Sequence, residues 1–241
     1  WEAVAPYRLG LQDRDHWDGL IPGGKATPAL LLDGLKIMAT SELRIAFNLK
    51  GLGYEFRPVH LRRREQRTPD YLALNPQGLV PTLVVGDLVL NQSLAIIEWL
   101  DETFPDVRLI PEDRALRARV RAFALDISAD THPLQNVRVL NDLERRFGAD
   151  QAVKDTWCGA WIRPALQGCE AVARRQTHGG AFTFGDTPSL ADICLFPQLA
   201  SADRFHVDIS DLTRLAEIRA ACEALPAFAE AVPGRQPDAE A

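Results

Sequence analysis

The chain of 241 residues has no cysteine before Cys158. That excludes a cysteine nucleophile, and a disulfide framework, from its first half. The four cysteines, Cys158, Cys169, Cys194 and Cys222, show no CxxC spacing and read as buried free thiols of a cytoplasmic protein. No uncharged apolar run approaches the length of a membrane span. The first residues lack a basic segment followed by an apolar core, so no signal peptide is expected. Positive charge is not in excess either: 27 Lys and Arg stand against 33 Asp and Glu, a net charge of −6. With no basic run interleaved with aromatics, a nucleic-acid surface is excluded. Arg62-Arg63-Arg64 is short, is followed by Glu65, and reads as a solvated helix start. The five histidines have no metal-ligand spacing, so no metal site is expected.

What is present is a composition for a packed core, 46% hydrophobic and 25% charged, in a length that fits one large domain or two small ones. Residues 1–26 have no steady period and read as an irregular extension. The spacing then predicts a short strand over 29–32, a helix from Ser41 to Lys50 stopped by Gly51, and a strand around Tyr54 and Phe56. A hairpin about Gly86-Asp87 follows, joining 82–85 to 88–90, and then a helix over 93–103. Breaks at Phe104-Pro105-Asp106 and Ile110-Pro111-Glu112-Asp113 place a linker at 105–113. The first domain is thus 27–104 and the second, all helical, 114–241. In the second, Leu116, Val120, Phe123, Ala124 and Ile127 mark one long amphipathic helix. Trp157, Trp161 and Leu166 mark another apolar stripe, and Ser189 with Asp192 forms a helix-start pair.

The densest pattern is Asn75-Pro76-Gln77-Gly78-Leu79-Val80-Pro81-Thr82-Leu83, followed by Asn91-Gln92-Ser93-Leu94. Proline holds the residue before it extended. That leaves Val80 with an N–H and a C=O able to pair with a peptide-like ligand. Gln92 and Ser93 begin a helix, where unpaired N–H groups and the dipole favour a carboxylate. A corner that pairs with a short backbone and clamps a carboxylate suits a small acidic peptide.

This corner resembles the glutathione site of the thioredoxin-like domain in glutathione transferases, most closely the zeta class, which includes maleylacetoacetate and maleylpyruvate isomerases. The resemblance runs from about Ser41 to the end of the chain. It implies a thioredoxin-like domain followed by an all-helical one, glutathione as cofactor, a homodimer, and no nucleic-acid or membrane partner. It also implies glutathione-dependent cis–trans isomerisation of maleylacetoacetate or maleylpyruvate, in which the thiolate adds to the double bond and leaves after rotation. Two rivals stand beside it: a transferase that conjugates or dehalogenates small electrophiles, and a catalytically silent glutathione-binding protein.

Carried over residue by residue, the resemblance assigns Val80, Pro81, Gln92 and Ser93 to glutathione. His60 is either at the glycyl end or a surface histidine. Ile37 stands where the family has its catalytic serine, with Lys36 before it and Glu42 where arginine is usual. The thiol is then activated by Thr40 or Ser41 or by the helix start alone, or these two hydroxyls only cap the helix. In the second domain Thr131-His132-Pro133-Leu134-Gln135-Asn136 resembles the cleft-facing segment. There Gln135 and Asn136 are candidates for glutathione, and His132 for substrate; the alternative for each is capping and packing at a kinked helix. Val137 stands where maleylpyruvate enzymes can carry an arginine. Arg204, within Ala202-Asp203-Arg204-Phe205-His206-Val207-Asp208, matches an arginine that meets substrate carboxylate.

Overall fold

The computed structural model describes residues 29–33, 38–176 and 179–232. The extension over 1–26 and the final Arg235-Gln236-Pro237-Asp238 motif lie outside the described residues. The chain forms two compact units, the first up to Val107 and the second over Arg108–Ala229.

The first unit runs β1 (Leu30–Asp33), α1 (Met38–Lys50), β2 (Glu55–Pro58), α2 (Pro69–Leu74), β3 (Thr82–Val85), β4 (Leu88–Asn91) and α3 (Ser93–Thr103). The sheet order is β2-β1-β3-β4; β1 and β2 are parallel, and β3 is antiparallel to β1 and β4. This is the expected strand–helix–strand–helix–strand–strand–helix layout. The central strands are the apolar ones, and Leu31, Leu32, Leu83, Val84 and Val85 are buried, as strands covered on both faces require. The outer strands β2 and β4 are mostly half-buried. Helix α1 begins three residues earlier than its Ser41 start signal suggested, because Thr40 and Ser41 lie inside its first turn. It ends as expected at Gly51, whose φ of +64° suits glycine.

Lys50, at the end of α1, ties that helix to α3. Its Nζ donates to Asp101 Oδ1 at 3.0 Å, to the Phe104 carbonyl at 2.9 Å and to the Val107 carbonyl at 2.7 Å. Since α1 and α3 pack together and are joined at their C-terminal ends, they run in the same direction, and both N-termini lie toward the other end.

The Arg62-Arg63-Arg64 run is not a helix start. It forms two 3₁₀ turns, Leu61–Arg63 and Glu65–Arg67, with Arg64 between them at φ 60°. The His60 ring accepts from the Arg63 N–H, and the Glu65 carboxylate accepts from the His60 N–H at 2.7 Å. These bonds close the segment on itself.

The second unit contains α4 (Arg114–Leu125), α5 (Val137–Phe147), α6 (Gln151–Arg174), α7 (Leu190–Arg204), α8 (Thr213–Glu223) and the short α9 (Pro226–Ala229). The long helix expected through Ile127 stops at Leu125. Residues Asp126–Thr131 form a π-helical turn and His132–Gln135 a 3₁₀ turn. Pro133 lacks an N–H and cannot continue an α ladder; the backbone stays helical through these irregular turns and becomes extended at Asn136, with ψ 142°. The tryptophan stripe is also corrected. Along α6 the buried face is Cys158, Ile162, Leu166, Cys169 and Ala173, whereas Trp161 is 43% exposed. Cys158 is a core residue one position from the half-buried Trp157, and Leu166 of the expected stripe is buried as expected. Helix α7 opens with a full capping box: Ser189 N–H and Oγ donate to Asp192 Oδ2, and Thr183 N–H and Oγ1 donate to Asp192 Oδ1. Among the described residues no helix is long and apolar enough to cross a membrane, and no group of three His, Cys, Asp or Glu could hold a metal.

Candidate functional site

In the first unit the site is set by strand register. Thr82 pairs with Asn91 across β3 and β4, so Pro81 and Gln92, the next residues outward, leave the sheet side by side. Leu32 pairs with Thr82 across β1 and β3, which brings the C-terminal end of β1 to the same end. The Val80-Pro81 segment, the start of α3 and the end of β1 therefore converge.

A buried polar network fixes the approach to Val80. The Leu79 carbonyl accepts from the Tyr71 hydroxyl at 2.6 Å and from Asn75 Nδ2 at 2.7 Å. Thr82 Oγ1 donates to Asn91 Oδ1 at 2.9 Å and lies 3.0 Å from the Tyr71 hydroxyl. Tyr71, Asn75 and Thr82 are all buried, where a satisfied polar network specifies one geometry. Gly78 is required at its position: at φ +59° an added Cβ would stand 2.8 Å from the Gln66 carbonyl oxygen. The Val80 side chain packs on Leu32, Val59, Tyr71, Leu74 and Val84. Its own N–H and C=O make no hydrogen bond among the described residues. The peptide bond between Val80 and Pro81 is cis.

Gln92 adopts φ 71° and ψ 118° at the start of α3, without a side-chain cap. A non-glycine residue at positive φ costs about 1–3 kcal/mol and persists only where its surroundings impose it, a condition common at ligand sites. Gln92 is exposed, and Ser93 behind it is buried. In the first turn of α1, Thr40 is fully buried and Ser41 nearly so, and Glu42 is fully buried as well. Lys36 and Ile37, the positions that depart from the family pattern, lie outside the described residues. His60 neighbours Val59, which packs in the same cluster as Val80. Its Nδ1 already accepts from Arg63.

In the second unit the irregular segment 126–136 carries three of the expected residues. His132 is 9% exposed, and burial pushes its pKa down to about 3, so the ring is neutral at neutral pH. Gln135 is held internally: Nε2 donates to Gln198 Oε1 at 3.0 Å and to the Thr131 carbonyl at 3.3 Å, and Oε1 accepts from Ser201 Oγ at 2.5 Å. Both ends of the Gln135 amide thus have partners within the second unit. Asn136 Oδ1 accepts from the Arg138 N–H at 3.0 Å and caps α5, while its Nδ2 is not part of the cap. Val137 is exposed. Arg204, in the last turn of α7, is exposed, lies 5.2 Å over the Phe205 ring, and has no ion pair among the described residues. It also opposes the upward shift of the Cys158 thiol, which burial and Asp155 push up to about 11.

Sequence reasoning missed the Tyr71, Asn75, Thr82 and Asn91 network, and Gln198, Ser201 and Trp157 in the second unit. The indole of Trp157 donates to the Leu134 carbonyl at 2.8 Å. The available signal was polar residues at apolar positions: Thr82 opening a buried strand, and Gln198 within Leu195-Phe196-Pro197-Gln198-Leu199.

Residues 39–103 match the glutathione S-transferase N-terminal domain and residues 137–230 the glutathione S-transferase C-terminal domain. The chain is 47% identical to a maleylpyruvate isomerase of a Ralstonia species, over 81% of this chain and 92% of the relative. It is 48% identical to a probable maleylacetoacetate isomerase of Vibrio cholerae, over 83% and 94%. Among solved structures it is similar to the holo structure of a maleylpyruvate isomerase, a bacterial zeta-class glutathione transferase, with a TM-score of 0.86, 44% identity, and coverage of 88% of this chain and 100% of that one. A maleylacetoacetate isomerase from Methylobacterium extorquens, solved with malonate and glutathione, gives a TM-score of 0.84 at 36% identity, with the same coverage.

Proposed function

Because this chain belongs to the zeta class of glutathione transferases, we propose that it catalyses the glutathione-dependent cis–trans isomerisation of maleylpyruvate or maleylacetoacetate. The observation that carries the reading is the corner in the first unit, where register sets the unpaired Val80 backbone beside the strained start of α3.

The residues fit glutathione. Val80 pairs through its N–H and C=O with the backbone of the tripeptide, and Pro81 holds the strip in place. Ser93 and the first N–H groups of α3, with Gln92 beside them, hold the γ-glutamyl carboxylate. When bound, glutathione supplies the sulfur nucleophile that the isomerisation needs. The positive end of α1, with the hydroxyls of Thr40 and Ser41, favours the anionic form of a thiol placed there. His60 lies at the glycyl side and also closes its own turn. Arg204 takes a substrate carboxylate through its guanidinium fork. His132 contributes as a neutral hydrogen-bonding group, and Asn136 offers Nδ2 while its oxygen caps α5. The proposal includes a homodimer, checked by sedimentation velocity.

The test is isomerisation of both dioxo-acids, followed by absorbance, with and without glutathione. Turnover that requires glutathione is expected. Protein that binds glutathione but turns over neither compound would overturn the reading.

A further inference from the structure

Helix α7 is buried along most of its length against α4, α6, α8 and the π-helical turn. Every residue from Leu190 to Leu199 is buried, and one of them is an amide. Gln198 is fully buried, its Oε1 accepts from Gln135, and its Nε2 has no hydrogen-bond partner among the described residues. An unsatisfied buried donor costs roughly 1–3 kcal/mol, and Gln198 carries that cost while its Oε1 satisfies Gln135. One turn along, Ser201 donates to the other end of the same Gln135 amide. Arg204 lies three residues beyond Ser201, on the same helix.

The segment these two residues grip lacks a regular ladder. It passes from the π-helical turn Asp126–Thr131 into the 3₁₀ turn His132–Gln135, and on to Asn136. π-helical turns recur at functional positions. Its other ties include the Thr131 hydroxyl to the Asp126 carbonyl at 2.9 Å and the Trp157 indole to the Leu134 carbonyl. We propose that Gln198 and Ser201 are positioning residues for the dicarboxylate site: they clamp Gln135 and so fix His132 and Asn136 relative to Arg204. One rigid helix then carries both the cationic contact and the clamp for the neutral polar contacts. This rests on the isomerase reading given above.

Gln198→Met tests it. Methionine has similar length and fills irregular space well. The change removes one unpaired buried donor, Gln198 Nε2, and creates another on Gln135, so stability is expected to stay within about 3 °C in Tm. KM for the dioxo-acid is expected to rise about tenfold, as misplacement of positioning groups produces, with KM for glutathione unchanged. Ser201→Ala should act in the same direction more weakly. The NMR signal of the Trp157 indole N–H, assigned with Trp157→Phe, is expected to shift in both variants and reads the segment independently of activity. Unchanged KM together with an unmoved indole signal would overturn the proposal. So would a drop of about 10 °C in Tm with both KM values rising together, which marks a packing role. If the wild-type protein turns over neither dioxo-acid, the isomerase reading falls, and the indole signal alone decides whether the clamp exists.

Discussion

On the proposed reading, the two units present their binding groups by different means. In the first, the Val80 strip and the start of α3 are backbone, placed by strand register and held from behind by the Tyr71, Asn75 and Thr82 network. In the second, His132, Asn136 and Arg204 are side chains, and the segment carrying two of them is irregular. A backbone site tolerates many substitutions at its own positions but depends on the scaffold that fixes its ends. A side-chain site is broken by changing the side chain itself. Each kind of site thus has its own point of weakness.

The largest effect should come from the scaffold of the first unit. The side chains of Lys50 and Asp101 are 1% and 3% exposed. Removing one partner of a buried ion pair is strongly destabilising, at a cost of about 3–5 kcal/mol. Two carbonyls lose a donor at the same time. Lys50→Met is expected to lower urea-unfolding stability by about that amount and to raise KM for glutathione, since α1 and α3 are no longer tied. A change below about 1 kcal/mol would show that the backbone site does not depend on this tie.

Arg204→Ala should break the second site with the first intact. A charge-assisted hydrogen bond contributes roughly 1.5–3 kcal/mol. KM for the dioxo-acid is therefore expected to rise by roughly 10- to 150-fold, with KM for glutathione within about twofold. Equal loss of both would mean that the change disturbs the fold and that the two sites are not separable.

The same contrast explains what was legible in the sequence. Short apolar runs, the Gly86-Asp87 turn and the Gly51 stop are local signals, and the first unit follows them closely. Pro81 and the helix start at Ser93 mark the corner directly, because proline and helix starts have fixed consequences for the backbone. The second unit was legible only where it is regular. A periodic pattern from Leu116 to Ile127 does not reveal that α4 stops at Leu125, since the same residues stay buried through the π-helical turn. On α6 the expected stripe of Trp157, Trp161 and Leu166 holds only at Leu166; the buried face is completed by Cys158, Ile162 and Cys169, and Trp161 lies outside it. The Gln135 clamp joins positions more than sixty apart in sequence, and no local pattern carries such a pairing.

The smallest predicted effect sharpens the contrast through pH. His132 has its pKa pushed by burial from 6.5 down to about 3. The unfolded chain binds a proton below pH 6.5 that the folded chain refuses. The corresponding stability is present above 6.5 and is lost as pH falls toward 3. Between pH 6.5 and about pH 5.5 the loss from this group is about 1 kcal/mol. His132→Gln is expected to flatten the pH dependence of stability over that interval by that amount, read from urea midpoints. The backbone groups at Val80 and the start of α3 have no proton to exchange in this range, so glutathione binding should not follow the same curve. If wild type and His132→Gln lose stability in parallel, the ring is accessible enough to protonate in the folded state. The second site would then change its charge with pH.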